Sequence, residues 1–475
     1  MSDLMYRVEE DSIGEKNVPA DAYYGVQSLR GAENFPITGE RLNPYMIESL
    51  AEIKKGCAIA NEKAGLLKKK KSAAIQQACD EIIAGKLRDQ FIVDPIQGSA
   101  GTSINMNANE VIANRAAEIL GGKPGDYSLV HPNDSVNYGQ STNDVIPSAG
   151  KMTTYKLWKS AEKELRMLVD VLYQKAEEFD GVLKMGRTQM QDAVPVRLGQ
   201  EFHAYAAAVE RGINRVDEII PEMLELNMGG TAIGTGLNAD KNYFENVVPE
   251  IAKISGLDVK QADDLIDGTS NLDSFAAVSA AIKSLAVSLS KMANDLRLMS
   301  SGPRCGFGEI YLPSRQNGSS IMPGKVNPVI PEVLSQVCYY IMGNDVTITM
   351  ACEGGQLELN AFEPIVYHCL FKSITALENA VRTFRVNCAE GITANEKRCR
   401  ELLDASVGVV TAICPHVGYK KAAAAAKKAI KTGEPIKKIV LEQGLLTEKE
   451  YKKIMEPFGM TTPGIAAEEL LRPDK

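Results

Sequence analysis

The sequence lacks the features that mark metal-binding, secreted and membrane-spanning proteins. Only four of its 475 residues are histidines, and none stands in the His-Glu-x-x-His spacing of a metal site. No run of about 20 apolar residues is present, so we expect no membrane span. The first residues contain no apolar segment of the kind found in secretory signals, so we expect a cytoplasmic protein.

The nine cysteines do not follow the pattern of a zinc site or a disulfide framework. Their number is odd, and no two of them form a Cys-x-x-Cys pair. This arrangement predicts free thiols in a reducing compartment. We expect most of them to behave as small buried apolar side chains.

The sequence also lacks a large excess of charge of either sign. Lys and Arg number 53 against 61 Asp and Glu, which gives a formal net charge of −8. A mildly acidic chain gains no attraction to nucleic acid through counterion release, so that class of partner is set aside. The hydrophobic share of 44% and the charged share of 24% are typical of a soluble globular protein.

What the sequence has in abundance is helical periodicity. Apolar residues recur at steps of three and four in three long stripes: Phe275, Val278, Ile282, Leu285, Leu289, Met292 and Leu296; Leu157, Ala161, Leu165, Leu168 and Leu172; and Leu370, Ile374, Leu377, Val381 and Phe384. Such seams pack long helices side by side, within one chain or between subunits. Two more long helices are predicted at about 197–227 and 331–349, with Pro221 interrupting the first.

These patterns predict a mainly α protein with three domains. The first, residues 1–143, is expected to be mixed but mostly helical, with short strands between Tyr6 and Val18. The second, residues 144–396, is expected to be a central bundle of five long helices. The third, residues 397–475, is expected to be a small helical domain.

The most informative segment is 318–327, which reads Gly-Ser-Ser-Ile-Met-Pro-Gly-Lys-Val-Asn. Pro323 and Gly324 exclude a helix interior, because proline lacks a donor and glycine is costly there. The segment therefore predicts a mobile loop that carries reactive groups. The alternative is a surface turn rich in Ser and Gly.

Several other polar segments are individually weak signals. The segments 98–103, 140–144 and 186–195 place small donors at the ends of predicted elements, where capping or a turn is the simplest explanation. Together such groups suit a carboxylate. The glycine-rich segment 229–236 lacks the G-x-G-x-x-G spacing, which argues against nucleotide binding. Residues 131–134 are typical of a turn that caps a helix.

In order and approximate spacing, these segments resemble the aspartase/fumarase superfamily, whose members eliminate an amine or water to give fumarate. The resemblance runs from residues 18–25 to residues 391–395. Three details resemble the aspartase branch more than the fumarase branch: the pair Tyr23-Tyr24, Thr142 where fumarases usually carry a second Ser, and the continuation 328–332. Gln189 departs from the commonest pattern, which has His at this position. Because glutamine does not titrate, a histidine-dependent mechanism is impossible at this position.

The resemblance implies reversible deamination of L-aspartate to fumarate and ammonia, by abstraction of the C3 proton through an aci-carboxylate intermediate. It implies that Ser319 is the base and that Lys325 and Asn327 bind the α-carboxylate. It also implies that Asn143 and Gln189 contact the amino group. The residues implied to donate to the β-carboxylate are Thr102, Ser141, Thr142, Thr188 and Ser320. His131, Asn133 and Asp134 resemble a secondary anion site of fumarases.

The resemblance also implies a homotetramer built on a multi-helix core, with each active site composed of residues from three subunits. The chemistry it implies needs no metal or organic cofactor, and activation by a divalent cation at a separate site stays open. Two alternatives remain from the sequence. One is a class II fumarase that acts on malate, and the other is a catalytically silent structural homologue.

Overall fold

The computed structural model describes residues 5–318 and 320–471, and these residues are mainly helical. The helices, in chain order, are α1 Val26–Asn34, α2 Pro44–Lys63, α3 Lys69–Ile83, α4 Thr102–Ile119, α5 Thr142–Glu178, α6 Leu198–Ile219, α7 Lys241–Ser255, α8 Leu265–Ser270, α9 Asp273–Met299, α10 Val329–Glu353, α11 Glu363–Asn387, α12 Glu396–Ala405, α13 Val410–Val417, α14 Tyr419–Thr432, α15 Ile436–Glu442, α16 Glu448–Ile454 and α17 Pro457–Thr461. The prediction of a mainly α protein is confirmed.

The strands are short and pair only two at a time in the part of the chain that is described. They are β1 Tyr6–Asp11, β2 Gly14–Pro19, β3 Leu183–Thr188, β4 Gln191–Arg197, β5 Glu225–Leu226, β6 Lys260–Gln261, β7 Ile310–Tyr311 and β8 Thr393–Ala394. The pairs β1–β2, β3–β4 and β7–β8 are antiparallel, and β5–β6 is parallel. The strands predicted near Tyr6 to Val18 are confirmed as β1 and β2.

The three predicted apolar stripes lie on α5, α9 and α11, and the structure buries all of them. None of their side chains is more than 2% exposed. The seam on α9 is at most 1% exposed, so the single chain already covers it. Any surface for self-association must therefore lie elsewhere.

Proline sets the end of α6 as the sequence predicts. The helix ends at Ile219 and a 3-10 turn, Ile220–Leu224, follows it. Pro221 stands at the start of that turn, where its missing N–H costs no helical hydrogen bond.

Helix α9 is the one helix in the described ranges that is long and apolar enough to cross a membrane. Half of its most apolar window is buried in the protein, and the buried residues of α9 include the seam described above. Its Lys283 forms an ion pair at 2.5 Å with Asp345, which is 3% exposed. A core helix of a soluble protein passes the same test of length and composition, so α9 is not a clear membrane span.

The chain divides into two compact units by its internal contacts. The first comprises Met1–Glu162, Asn214–Ser284 and Tyr339–Leu377, and the second comprises Lys163–Ile213, Leu285–Cys338 and Glu378–Lys475. The division falls inside all five of the long helices α5, α6, α9, α10 and α11. The boundaries predicted at 143 and 396 stay predictions.

Within the first unit, α2 packs against α3 and α7. It begins at Pro44, and the Asn43 side chain accepts a hydrogen bond from Tyr45 N at 2.9 Å. Gly56 lets α7 approach closely, because a Cβ there would lie 2.6 Å from Ile251 Cγ1. Most of the side chains in the middle of α2 are buried, among them Lys54 and Cys57.

Within the second unit, the C-terminal helices share one apolar cluster with strand β3. Leu183 and Met185 of β3 pack with Leu403, Ile413 and Ile439, and each of these is at most 7% exposed. The β3–β4 hairpin is therefore anchored on the C-terminal helices. All nine cysteines are free and six of them are buried, so the prediction of free, mostly buried thiols is confirmed, and the reducing compartment stays a prediction.

Candidate active site

The segment before α5 holds three of the predicted contact residues, Ser141, Thr142 and Asn143. Ser141 Oγ accepts a hydrogen bond from Asn143 N at 3.1 Å, which confirms the capping interpretation for this hydroxyl. Asp144 Oδ1 accepts from Ser141 N at 2.9 Å. Because the Ser141 oxygen acts as an acceptor, its proton stays available for a ligand.

The glycine-rich segment 229–236 docks onto this same segment. Asp144 Oδ2 accepts from Gly229 N at 3.2 Å and from Thr231 N at 3.1 Å. Asn143 Nδ2 donates to Ala232 O at 2.7 Å, which leaves its Oδ1 as an acceptor. The segment has a packing role: a Cβ at Gly234, where φ is +93°, would lie 2.4 Å from the backbone of α8.

Asp144 is fully buried, and its charge is held by backbone donors. Burial raises the pKa of its carboxyl to about 7, while the N–H groups of Ser141, Thr231 and Gly229 act in the opposite direction. Lys54, also fully buried, has its pKa lowered to about 8 by burial. Two ionisable groups thus lie beneath the segment that carries Ser141 and Thr142.

The turn before α4 is strained, and no side chain caps the helix. Ser99, Ala100 and Gly101 have φ values of 65°, 51° and 83°, which is an unfavourable run for two non-glycine residues. Capping by a hydroxyl is therefore wrong here, since the N-cap is Gly101. Thr102 Oγ1 instead donates to Ser99 O at 2.7 Å.

The starts of α4 and α5 lie next to each other. Asn105 Nδ2 lies 3.3 Å from Thr142 Oγ1, and a Cβ at Gly101 would touch Ile146 at 3.1 Å. The first unit therefore brings the neighbourhood of Thr102 to the segment 141–143.

Thr188 and Gln189 lie at the tip of the β3–β4 hairpin. The sequence predicted a polar turn here but not the two strands β3 and β4, which the structure shows on either side of the turn. Gln189 and Met190 form the turn with φ values of 51° and 64°, as a tight hairpin requires. All three side chains at the tip are exposed.

Buried charges hold the base of this hairpin. Arg187 Nη1 lies 2.8 Å from Glu309 Oε1, and Lys184 Nζ lies 3.2 Å from Glu309 Oε2. Glu309 is fully buried, and the Arg187 guanidinium stacks on Phe307 at 4.0 Å. The residue before Thr188 is thus fixed by an ion pair and a ring contact.

The loop at 318–327 is closed at its base and open at its tip. Gly318 N donates to Lys325 O at 2.9 Å, and Lys325 N donates to Met322 O at 3.2 Å. A Cβ at Gly318 would lie 2.2 Å from Lys325 O, so only glycine fits. Ser320 and Lys325 are exposed, and Ile321 is 83% exposed.

Ser319, the predicted base, lies outside the described residues. Its neighbours in the loop are described, and Lys325 and Asn327 line one groove with Arg297 and Ser300 at the end of α9. In the described ranges, no carboxylate lies within ion-pair distance of Lys325. Two cations, Lys325 and Arg297, therefore line this groove, which suits an anion.

The predicted residues divide between the two units. Thr102, Ser141, Thr142 and Asn143 belong to the first unit, and Thr188, Gln189, Ser320, Lys325 and Asn327 belong to the second. Each group is assembled locally as described above.

His131 acts as a cap in the structure. Its Nδ1 accepts hydrogen bonds from Asn133 N and Asp134 N, both at 3.1 Å, at the start of the short π-helix Pro132–Val136. The capping interpretation is confirmed, and an anion-binding role for His131, Asn133 and Asp134 stays a prediction. In the described ranges, no group of three or more His, Cys, Asp or Glu side chains is placed to hold a metal ion.

Sequence reasoning missed four residues that support the site: Lys54, Asn137, Arg187 and Glu309. Lys54 lies far from the segment 141–143 in sequence, and Asn137 lies only four residues before it, but neither carries a motif. Arg187 lies in the polar segment 186–195. Its position directly before Thr188 was the signal that could have identified it as a supporting residue.

A family profile described as "Lyase" matches residues 14–343, and one described as "Fumarase C C-terminus" matches residues 409–462. The chain belongs to the aspartase/fumarase superfamily of lyases. It is 53% identical to the aspartate ammonia-lyase of Bacillus subtilis (strain 168) over 466 residues, which cover 98% of both chains. The family resemblance inferred from the motifs is confirmed.

Two solved structures share the fold. The fumarate lyase:delta crystallin from Brucella melitensis bound to cobalt aligns with a TM-score of 0.94 and 47% identity, over 97% of this chain and all of that one. The class II fumarase from Schistosoma mansoni aligns with a TM-score of 0.92 and 35% identity, again over 97% of this chain. The predicted aspartase/fumarase-like fold is confirmed.

Proposed function

We propose that this protein catalyses the reversible deamination of L-aspartate to fumarate and ammonia. It is a carbon–nitrogen lyase, and its substrate is a small molecule. The observation that carries the proposal is the 53% identity to an aspartate ammonia-lyase over 98% of both chains. The polar segments that match the superfamily's motifs supply the groups that the reaction needs.

The reaction requires donors where negative charge develops. Removal of the C3 proton moves charge onto the β-carboxylate and gives an aci-carboxylate. Ser141 and Thr142 support this role, because both oxygens accept hydrogen bonds from the protein and both protons are left for a ligand. Thr102, Thr188 and Ser320 complete the proposed donor set. Thr102 must first release Ser99 O.

We assign the base to Ser319, acting as an alkoxide. A serine hydroxyl is a weak base at neutral pH, so its anion needs stabilisation from loop N–H groups and from the charge of Lys325. Lys325 and Asn327 are proposed to bind the α-carboxylate. Their place in one groove beside Arg297 supports that role.

The amino group is proposed to contact Asn143 and Gln189. Asn143 is suited to an ammonium, because Nδ2 is held by Ala232 O and Oδ1 is left as the acceptor. Gln189 is neutral at every working pH, so it can orient the amino group but cannot exchange a proton with it.

No step proposed here uses a metal or an organic cofactor. We leave activation by a divalent cation at a separate site as part of the proposal, to be tested by adding Mg²⁺ and by adding a chelator to the assay. We place the protein in the cytoplasm, which the nine free thiols support.

We propose a homotetramer in which three subunits complete each active site. One face of α10 supports self-association, because it is exposed and carries no charge: Gln336, Tyr339, Tyr340, Gly343, Val346, Thr349 and Met350. Tyr339, Val346 and Met350 are 55%, 59% and 69% exposed. A helix face of this kind is unusual on a monomer. Full activity in a fraction that light scattering shows to be monomeric would contradict the proposal.

The alternative within the superfamily is a class II fumarase. The lower identity of 35% to a fumarase disfavours it, as does Thr142. The test is to follow fumarate by ultraviolet absorbance with L-aspartate and, separately, with L-malate. Fumarate and ammonia from aspartate alone support the proposal. Fumarate from malate alone would establish a fumarase, and turnover of neither, with Mg²⁺ present, would favour the silent structural homologue.

A further inference from the structure

A lysine without solvent access lies beneath the segment 141–143. Lys54, in the middle of α2, is 0% exposed. Its Nζ donates to Asn137 Oδ1 and to Gln140 Oε1, both at 2.8 Å. Neither partner is charged. Burying an ammonium among neutral amides is costly, so a role beyond packing has to be considered.

The lysine sets the direction of a chain of hydrogen bonds. Lysine has only donors, so Asn137 must turn its Oδ1 toward Nζ. Asn105 then has to present Nδ2 to that same oxygen, at 3.2 Å. The same Nδ2 lies 3.3 Å from Thr142 Oγ1, which therefore accepts. The Thr142 proton is therefore left for a ligand.

A second branch runs through Gln140. Its Oε1 accepts from Lys54 while its Nε2 donates to Val136 O at 2.9 Å. Asn137 Nδ2 donates to Gln140 O at 3.2 Å. The first branch ends at the Thr142 hydroxyl, and the second fixes the side chain of Gln140 against Val136 O. Each branch begins with a donor at Nζ.

We infer that Lys54 is a positioning residue for the carboxylate-binding segment: through Asn137, Asn105 and Gln140 it fixes Thr142 as a donor, and its charge favours a carboxylate at Ser141 and Thr142. The inference rests on the proposed function, which places the β-carboxylate of the substrate there. Lys54 itself contacts no substrate.

Several titratable groups face Lys54. Asp144 at the start of α5 is fully buried, as is Cys57 on α2, and Cys79 lies on α3. Tyr243 on α7 lies 3.4 Å from Cys57 Sγ. Burial raises the pKa of Cys57 to about 12 and the pKa values of Cys79 and Tyr243 still further. These three groups are therefore neutral up to about pH 9.

Two groups in this cluster can titrate near neutral pH, Lys54 and Asp144. Burial lowers the pKa of Lys54 to about 8, and burial raises the pKa of Asp144 to about 7. Above pH 8 Asp144 is already ionised, so the change between pH 8 and 9 belongs to Lys54. Loss of its proton removes the positive charge and should weaken the binding of a dicarboxylate.

Succinate is a suitable probe, because it is a dicarboxylate with no amino group and undergoes no elimination. Its affinity is measured by calorimetry at pH 7.0, 8.0 and 9.0 with the intact protein. We expect the affinity of the unmodified protein to fall between pH 8 and 9. An affinity that is unchanged over this range overturns the inference without any variant. Failure of aspartate turnover would instead count against the proposed function.

Lys54→Met keeps an unbranched side chain, one atom shorter, and removes the charge. We expect its succinate dissociation constant at pH 7 to rise about tenfold, and its affinity to become independent of pH between 8 and 9. The KM for aspartate should rise more than kcat falls. Succinate affinity and pH dependence equal to those of the unmodified protein would overturn the inference.

Lys156→Met is the matched control. Lys156 is also a largely buried lysine, with a side chain only 11% exposed and ion pairs at 2.7 Å to both Glu48 and Glu52. It lies in the same unit but belongs to no chain of bonds that leads to residues 140–142. Its loss should lower stability and leave succinate affinity within about twofold. An equal loss of affinity in both variants would overturn the inference in favour of a general structural effect.

Asn105→Ala decides the matter if Lys54→Met does not fold. It leaves Lys54 with both acceptors and removes the two contacts of Asn105 Nδ2, with Thr142 Oγ1 and with Asn137 Oδ1. We expect succinate affinity to fall about threefold to tenfold, with the dependence on pH above 8 reduced. Unchanged affinity and unchanged pH dependence would overturn the inference.

Discussion

Two segments assigned to the substrate are held in opposite ways. The segment Ser141–Asn143 is hydrogen-bonded by the buried residues Asp144 and Asn105, and the buried Lys54 bonds Gln140 directly before it. The loop at 318–327 is fixed only at its base, by Gly318 and Lys325, and its tip is exposed. The segment Ser141–Asn143 is therefore held in place before a ligand binds. The loop at 318–327 has few contacts within its own chain that would resist movement.

The difference fits a division of labour in the proposed reaction. Carboxylate donors are most useful when their geometry is set in advance, because no reorganisation is then required as charge develops. A serine base needs water excluded around it, which an exposed loop can provide by closing over bound substrate. The following changes test this contrast, from the largest expected effect to the smallest.

Ser319→Ala removes the proposed base from the open loop. We expect kcat for aspartate to fall by on the order of 10²-fold or more, while circular dichroism shows an unchanged fold. Because the described part of the loop is exposed, stability should not change. An unchanged rate would remove Ser319 from the role of base.

Asp144→Ala removes the anchor of the rigid segment. Three backbone N–H groups, those of Ser141, Gly229 and Thr231, lose their acceptor, and each buried unpaired donor costs about 1–3 kcal/mol. Part of this loss is offset because the buried charge also disappears. We expect the free energy of unfolding in urea to fall by at least about 2 kcal/mol.

Asp170→Ala is the control for that change, since Asp170 lies on the same helix α5 and is exposed. Its free energy of unfolding should stay within about 0.5 kcal/mol of the unmodified protein. Equal effects of the two substitutions would mean that Asp144 is not an anchor.

Gly318→Ala disturbs the base of the open loop, because the new Cβ would lie 2.2 Å from Lys325 O. We expect kcat/KM to fall about tenfold with little change in the melting temperature. Gly181→Ala is the control, since a Cβ at Gly181 meets nothing within 4 Å. A lower melting temperature with normal kinetics would show that the loop is structural rather than functional.

Lys54→Met should change how stability depends on pH. The pKa of Lys54 falls from 10.5 to about 8 on burial, so between these values the unfolded chain holds a proton that the folded chain has lost. This group therefore makes stability rise with pH from about 8 to about 10.5, by at most about 1.4 kcal/mol per pH unit. Urea unfolding at pH 8, 9 and 10 measures the slope. Equal slopes in both proteins would contradict the lowered pKa of Lys54 in the folded protein.

The sequence predicts the helices well because their signal is local. The seams on α5, α9 and α11 repeat over many turns, and Pro221 marks the end of α6 as expected. Strands β3 and β4 were missed because their apolar residues are few and β4 contains Pro195. Their register depends on packing against the C-terminal helices, which lie more than 200 residues away in sequence.

Part of the candidate site could be predicted from the sequence, because the signal for that part is also local. Its exposed polar residues stand in short motifs that a single sequence can display. Lys54 and Glu309 could not be predicted, because each supports the site through contacts with residues more than 80 positions away. Such partners become neighbours only in the folded chain, and an isolated buried lysine looks like any other lysine in a helix.

The most direct test of the account mixes two variants that we expect to be nearly inactive, Thr142→Val and Ser319→Ala, which are unfolded together and refolded as hybrids. If each active site takes its rigid segment and its open loop from different subunits, some sites in a hybrid tetramer contain both native residues. We predict activity on aspartate about tenfold or more above that of either variant alone. No gain in hybrids that native mass spectrometry shows to contain both variants would contradict an active site shared between subunits.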